Sequence, residues 1–244
     1  MRCFLNGISA GILVYLLFDI LENATGAVHE ALTAAQDGVG TWDALVGLAL
    51  LYAAGFGIGL LSLLWVRRLL HRPGPKASIG PGAMAVAEAT APRREALRLG
   101  MSIAVGIGLH NFSEGLAIGQ SAHAGEVSLA ILLVIGFAAH NATEGFGIVG
   151  PLAAADVRAT WGWLALAGLI GGGPTFVGTL VGTAFVSAYV FVLFLSLAAG
   201  AILYVVGELL NAGRRMSWEI TLWGILAGFL IAFATELIVV AAGA

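Results

Sequence analysis

Two short segments carry the groups best suited to hold a cation: HNFSEG at residues 110–115 and HNATEG at residues 140–145. The first supplies His110, Asn111 and Glu114, the second His140, Asn141 and Glu144. On a helix, a His and a Glu four residues apart share a face, and the Asn lies one residue round from the His. Two such faces set against each other offer two imidazoles, two carboxylates and two amide oxygens to one ion. That set suits zinc, iron, cobalt or manganese better than calcium or magnesium. It also releases an ion more readily than a closed thiolate site. The only cysteine, Cys3, excludes an internal disulfide and any Cys-cluster metal site. A lone His in an apolar run is ordinarily a satisfied polar side chain. Two copies of one pattern argue for a shared role.

The elements that position these residues are membrane helices. Of 244 residues, 59% are hydrophobic and 10% charged, and the mean hydropathy is +0.97. A soluble domain carries about 25% charged residues, so this chain cannot cover a water-facing surface. Apolar runs of roughly 20 residues, the length that crosses a bilayer, give an all-α polytopic protein. Seven spans are expected, at 4–30, 43–66, 97–121, 127–153, 161–184, 187–210 and 218–242, forming one transmembrane domain over 1–244. Residues 71–95 hold four of the six prolines and read as a cytoplasmic loop. No cleavable signal peptide is expected, because the first apolar run continues into acidic residues.

Basic residues gather on the cytoplasmic side of membranes. With the N-terminus inside and the C-terminus outside, all 11 Lys and Arg fall in or beside cytoplasmic segments. His110 and His140 then each lie about 13 residues from the cytoplasmic end of their span, near the bilayer midplane at ~1.5 Å per residue. Six acids lie within or at the edge of spans: Asp19, Glu22, Glu114, Glu144, Glu208 and Glu236. A charge at a helix centre costs about 2.5–3.5 kcal/mol on insertion scales, and no Lys or Arg lies deep in a span to pair with them. Glu22 and Glu236 fall toward the outer side, Asp19 near the midplane, and Glu208 near the cytoplasmic end of its span. These four are candidate pathway residues, although Glu22, Glu208 and Glu236 can equally reach interfacial water. His29, His71 and His123 read as surface histidines. The six tryptophans lie at or near span ends, as an aromatic belt requires. Gly115 and Gly145 are expected to permit close helix approach.

The paired HNFSEG and HNATEG resemble the HNxPEG motifs in the fourth and fifth spans of the ZIP family of divalent metal transporters. NGISAGILVYLLFDILENA resembles that family's second span, GLIGGGPTFVG its sixth and AAGAILYVVGELL its seventh. The resemblance implies a midplane metal site built from His110, Asn111, Glu114, His140, Asn141 and Glu144, and inward transport of zinc or a related metal. It also implies that the chain begins at the family's second span. Three further departures stand out. Ser113 and Thr143 replace the motif prolines, and their hydroxyls are expected to bond the i−4 carbonyl and bend the helix slightly. Gly173 replaces a sixth-span Glu, so one metal or a weak second site is expected. The loop at 72–95 lacks histidine.

The sequence therefore points to a transporter of divalent transition metals, zinc foremost and then Fe2+, Mn2+, Co2+ or Cd2+, in a bacterial or archaeal plasma membrane. The metal is cargo, and no enzymatic cofactor is expected. The expected partners are the ion and the lipid bilayer, with a homodimer open to it and no nucleic acid. A membrane protein that binds or senses metal without moving it is the alternative. A metalloenzyme is a weaker one, because Asn111 and Asn141 stand where the HExxH pattern of zinc hydrolases has its basic Glu.

Overall fold

The structure, a computed structural model, describes residues 1–70, 81–185 and 187–241. Within these segments the side chains of residues 66–70, 81–90, 139, 140, 143, 238 and 239 lie outside the description. The described chain is seven helices: α1 (Arg2–Gln36), α2 (Trp42–Leu70), α3 (Pro81–His123), α4 (Val127–Ala154), α5 (Trp161–Ala184), α6 (Ala188–Met216) and α7 (Trp218–Ala241). Each apolar run has become one helix. By length and composition α1, α2, α5, α6 and α7 can cross a membrane. The two HNxxEG segments lie on α3 and α4, which run among them.

The loop expected at 71–95 is corrected in part. Residues 71–80 lie outside the described residues, but α3 already begins at Pro81. Proline is favoured at a first helical position, where its missing N–H would have had no partner anyway. The following GAMAVAEATA is dominated by alanine, the strongest helix former. Four prolines marked the segment as irregular, yet Pro92 is accommodated inside α3.

The core lies where α1, α3, α4 and α6 meet. Leu16 and Ile20 of α1, Ile103 and Ile107 of α3, and Leu195 and Ile202 of α6 are buried there. The other three helices pack outside, α2 on α6, α5 on α3 and α7 on α1. Their outer sides expose Leu50, Ile58 and Leu61, then Leu169, Phe176 and Leu180, then Leu226 and Leu230. Water-soluble proteins avoid apolar faces of this extent, whereas lipid tails match them. Within lipid, helix association relies on close backbone packing rather than on the hydrophobic effect. At Gly115 an added Cβ would strike the Thr175 carbonyl of α5, and at Gly11 the Ile225 carbonyl of α7. Gly145 does not share this role, since no described atom lies within 4 Å of where its Cβ would be.

Both ends of the bundle agree with the charge pattern. Arg2 of α1 and Asp156, just beyond α4, form an exposed ion pair at 2.9 Å. The N-terminus and the α4–α5 turn therefore share one end. Trp42, Trp161 and Trp218 open α2, α5 and α7 and are exposed. Trp163, in the first turn of α5, packs against the core.

Candidate metal centre

HNFSEG spans about one and a half helical turns, and its side chains divide among three directions. His110, Ser113 and Glu114, at i, i+3 and i+4, line an internal chamber of about 230 Å3. Asn111 and Gly115, also four apart, face α5. There Asn111 Nδ2 donates to the Gly171 carbonyl at 2.9 Å, and Gly115 lies against the Thr175 backbone. Phe112 stacks on Phe194 of α6 with ring centroids 4.1 Å apart. The same six residues thus build one wall of the chamber and anchor α3 to both neighbours.

From α4, Leu133 and Phe137 line the chamber, and Asn141 and Glu144 approach the α3 residues from beside it. Asn141 Nδ2 donates to Glu114 Oε2 at 3.2 Å. His110 Nε2 lies 3.4 Å from Glu114 Oε1 and 3.9 Å from Glu144 Oε1. His110, Glu114 and Glu144 are 4%, 6% and 1% exposed, so two carboxylates and an imidazole share one buried space. Of the six sequence candidates, His110, Glu114, Asn141 and Glu144 come together here, and Asn111 is turned toward α5. His140 lies on α4 one turn before Glu144, but its side chain is outside the described ones.

The chemistry of this set favours a cation. Burying a carboxylate costs several kcal/mol unless an opposite charge or hydrogen bonds compensate, and no Lys or Arg lines the chamber among the described residues. Both asparagines give their N–H to protein acceptors, while Asn111 Oδ1 and Asn141 Oδ1 are buried and accept no hydrogen bond among the described residues. Among those residues no three His, Cys, Asp or Glu side chains form a ready-made ligand cluster. The chamber gathers donors without closing them on one point.

A larger vestibule of about 670 Å3 adjoins the chamber. Asp19, Asn23, Ala117, Phe191 and Glu236 line both cavities, and Glu22, Glu30 and Gln120 line the vestibule alone. Asn23 Nδ2 donates to the Asp19 carboxylate at 3.0 Å and to its carbonyl at 2.9 Å, which orients the acid. Of the four pathway candidates, Asp19 and Glu236 line both cavities, Glu22 lines the vestibule, and Glu208 lines neither. Exposed His29 and His123 also line neither, and His71 lies outside the described residues. Sequence reasoning missed Asn23, Glu30 and Gln120. Asn23 follows Asp19 by four residues and Glu30 follows Glu22 by eight, so helical spacing carried the signal for those two. Gln120 had no such signal.

Two departures from the HNxPEG pattern look different in the structure. The back-bond expected of Ser113 is not made: its Oγ has no hydrogen-bond partner among the described residues, and the residue lies in the chamber wall instead. Thr143 has its side chain outside the description. Gly173 lines neither cavity, and a Cβ there would meet only Leu169 of its own helix.

No family model matches the chain, but individual proteins do. The zinc transporter ZupT of Corynebacterium glutamicum is 30% identical over 232 residues, covering 92% of this chain and 82% of that protein. The zinc transporter ZupT of Corynebacterium aurimucosum is 29% identical over 232 residues, covering 92% and 81%. Likeness of that length joins the apolar helices and the paired HNxxEG segments, and it makes this chain an integral membrane protein of the ZIP transporter family, not an enzyme.

Proposed function

We propose that the protein moves a divalent transition metal, zinc foremost, across the membrane through the chamber between α3 and α4. Fe2+, Mn2+, Co2+ and Cd2+ are secondary cargoes of the same donor set. The observation that carries this reading is a buried His110 in the chamber wall with the carboxylates of Glu114 and Glu144 each within 4 Å of its Nε2, beside a chamber whose walls continue into an acid-lined vestibule. His110, Glu114, His140 and Glu144 act as ligands, and Asn111 and Asn141 supply amide oxygens. Asp19, Glu22 and Glu236 pass the ion inward, while Glu208 serves the cytoplasmic exit. The basic helix ends face the cytoplasm of a bacterial plasma membrane, so transport runs from the vestibule toward the cytosol.

The test is metal influx into proteoliposomes holding a zinc-sensitive dye. Wild-type protein is expected to give influx, with His110→Ala and Glu144→Ala each reducing it to background. Influx that persists in the double variant would remove the chamber from the route. Tight binding by the wild type without influx would replace transport by metal binding alone.

A further inference from the structure

Ser113 is chemically out of place in α3. Helical Ser and Thr side chains commonly return their hydroxyl to a carbonyl one turn back. In this protein Ser9, Ser121, Thr179 and Ser196 do so, at 2.9–3.3 Å. Ser113 is 1% exposed, yet its Oγ has no hydrogen-bond partner among the described residues. A buried hydroxyl left unsatisfied loses its hydration with nothing in return. Ser113 also lies three residues from His110 on the same helical face, and both line the 230 Å3 chamber with Glu114. A hydroxyl there has two lone pairs, and no donor among the described residues occupies them.

We propose that Ser113 Oγ is a neutral oxygen donor to the ion in the chamber and a determinant of which metal the protein prefers. The proposal rests on the chamber being a metal site. Imidazole nitrogens among carboxylate and amide oxygens are already a mixed set, and an added hydroxyl makes it harder. Hard oxygen donors favour Mn2+ relative to softer ions, while sulfur favours Cd2+ and zinc. Ser113 thus tunes the site toward the oxygen-loving end of the divalent series, where a proline would supply no donor at all.

The experiment uses purified full-length protein in nanodiscs, titrated with Zn2+, Mn2+ and Cd2+. Ser113→Ala is expected to weaken Mn2+ binding ~10-fold, the scale of losing one supporting group at a metal site, and to change Zn2+ binding less. Ser113→Cys, made in a Cys3→Ala background, reads the geometry directly. With Cd2+ bound it is expected to give the ultraviolet charge-transfer band of a thiolate–cadmium bond, absent from Cys3→Ala alone. Cd2+ binding by Ser113→Cys without that band overturns the role of Ser113 and leaves the chamber intact. An equal loss of Mn2+ and Zn2+ in Ser113→Ala also overturns it, as a merely structural effect. Failure of the wild type to bind any of the three ions overturns the chamber itself.

Discussion

At the scale of single residues, the division of labour within HNFSEG separates binding from scaffolding. His110 and Glu114 face the chamber, so replacing them should remove metal binding and leave the fold. His110→Ala is expected to lower zinc affinity by at least ~100-fold, the upper end of what even supporting groups cost, with an unchanged thermal melt in detergent. Asn111 should behave differently, because its side chain ties α3 to the Gly171 carbonyl of α5. Interhelical hydrogen bonds in membranes average about 0.6 kcal/mol, so Asn111→Ala should destabilise by roughly that amount. It should also weaken zinc binding by up to ~10-fold, because Asn111 holds α3 in the position that presents His110 and Glu114. Denaturant unfolding and calorimetric titration separate the two effects. The sequence showed which residue types gather, because His and Glu at i, i+4 must share a face. It did not show that Asn111 would reach for α5, since α5 is a long-range neighbour that no local spacing encodes. The hydroxyl of Ser113 was misjudged for a related reason. Back-bonding is a local default, and only the chamber beside it offers an alternative.

At the scale of helices, packing is carried by small residues at particular turns. Gly115 sits against the α5 backbone, whereas Gly145 has no described atom within 4 Å of where its Cβ would be, although each ends an HNxxEG hexapeptide. Gly115→Val must push α3 and α5 apart and should cost ~1–3 kcal/mol, the usual range for overpacking. Gly145→Ala should lie within ~0.5 kcal/mol of wild type, as substitutions away from packed contacts do. Comparable melting losses for both variants would contradict this picture of the α3–α5 seam. Helix number was legible because each apolar run is long enough to form one helix of bilayer length. The start of α3 was not, because prolines that mark loops also open helices, and alanine content decided between them. The unequal roles of Gly115 and Gly145 were hidden as well, since it is α3, not α4, that α5 packs along, and no local spacing encodes that choice.

At the scale of the whole molecule, a wide vestibule meets a smaller chamber through walls that both share. Asp19 and Glu236 lie at that junction, so removing their charge should affect arrival of the ion more than its later release. Asp19→Asn together with Glu236→Gln is expected to raise the half-saturating zinc concentration several-fold while the maximal flux stays near wild type. A fall in maximal flux with an unchanged half-saturation point would instead make the pair part of the release step. The vestibule has a further property. It gathers Asp19, Glu22, Glu30 and Glu236 with no basic side chain among its described walls, and low-dielectric walls focus the field of like charges over their opening. Such a mouth acts on rates before it acts on affinities. It should draw dilute divalent ions inward faster than diffusion alone would supply them, and repel anionic chelates of the same metals. Because the Debye length shrinks from about 30 Å at 0.01 M salt to about 8 Å at 0.15 M, that capture should slow as ionic strength rises, and the organism's external salt would set how scarce a metal this protein can still harvest.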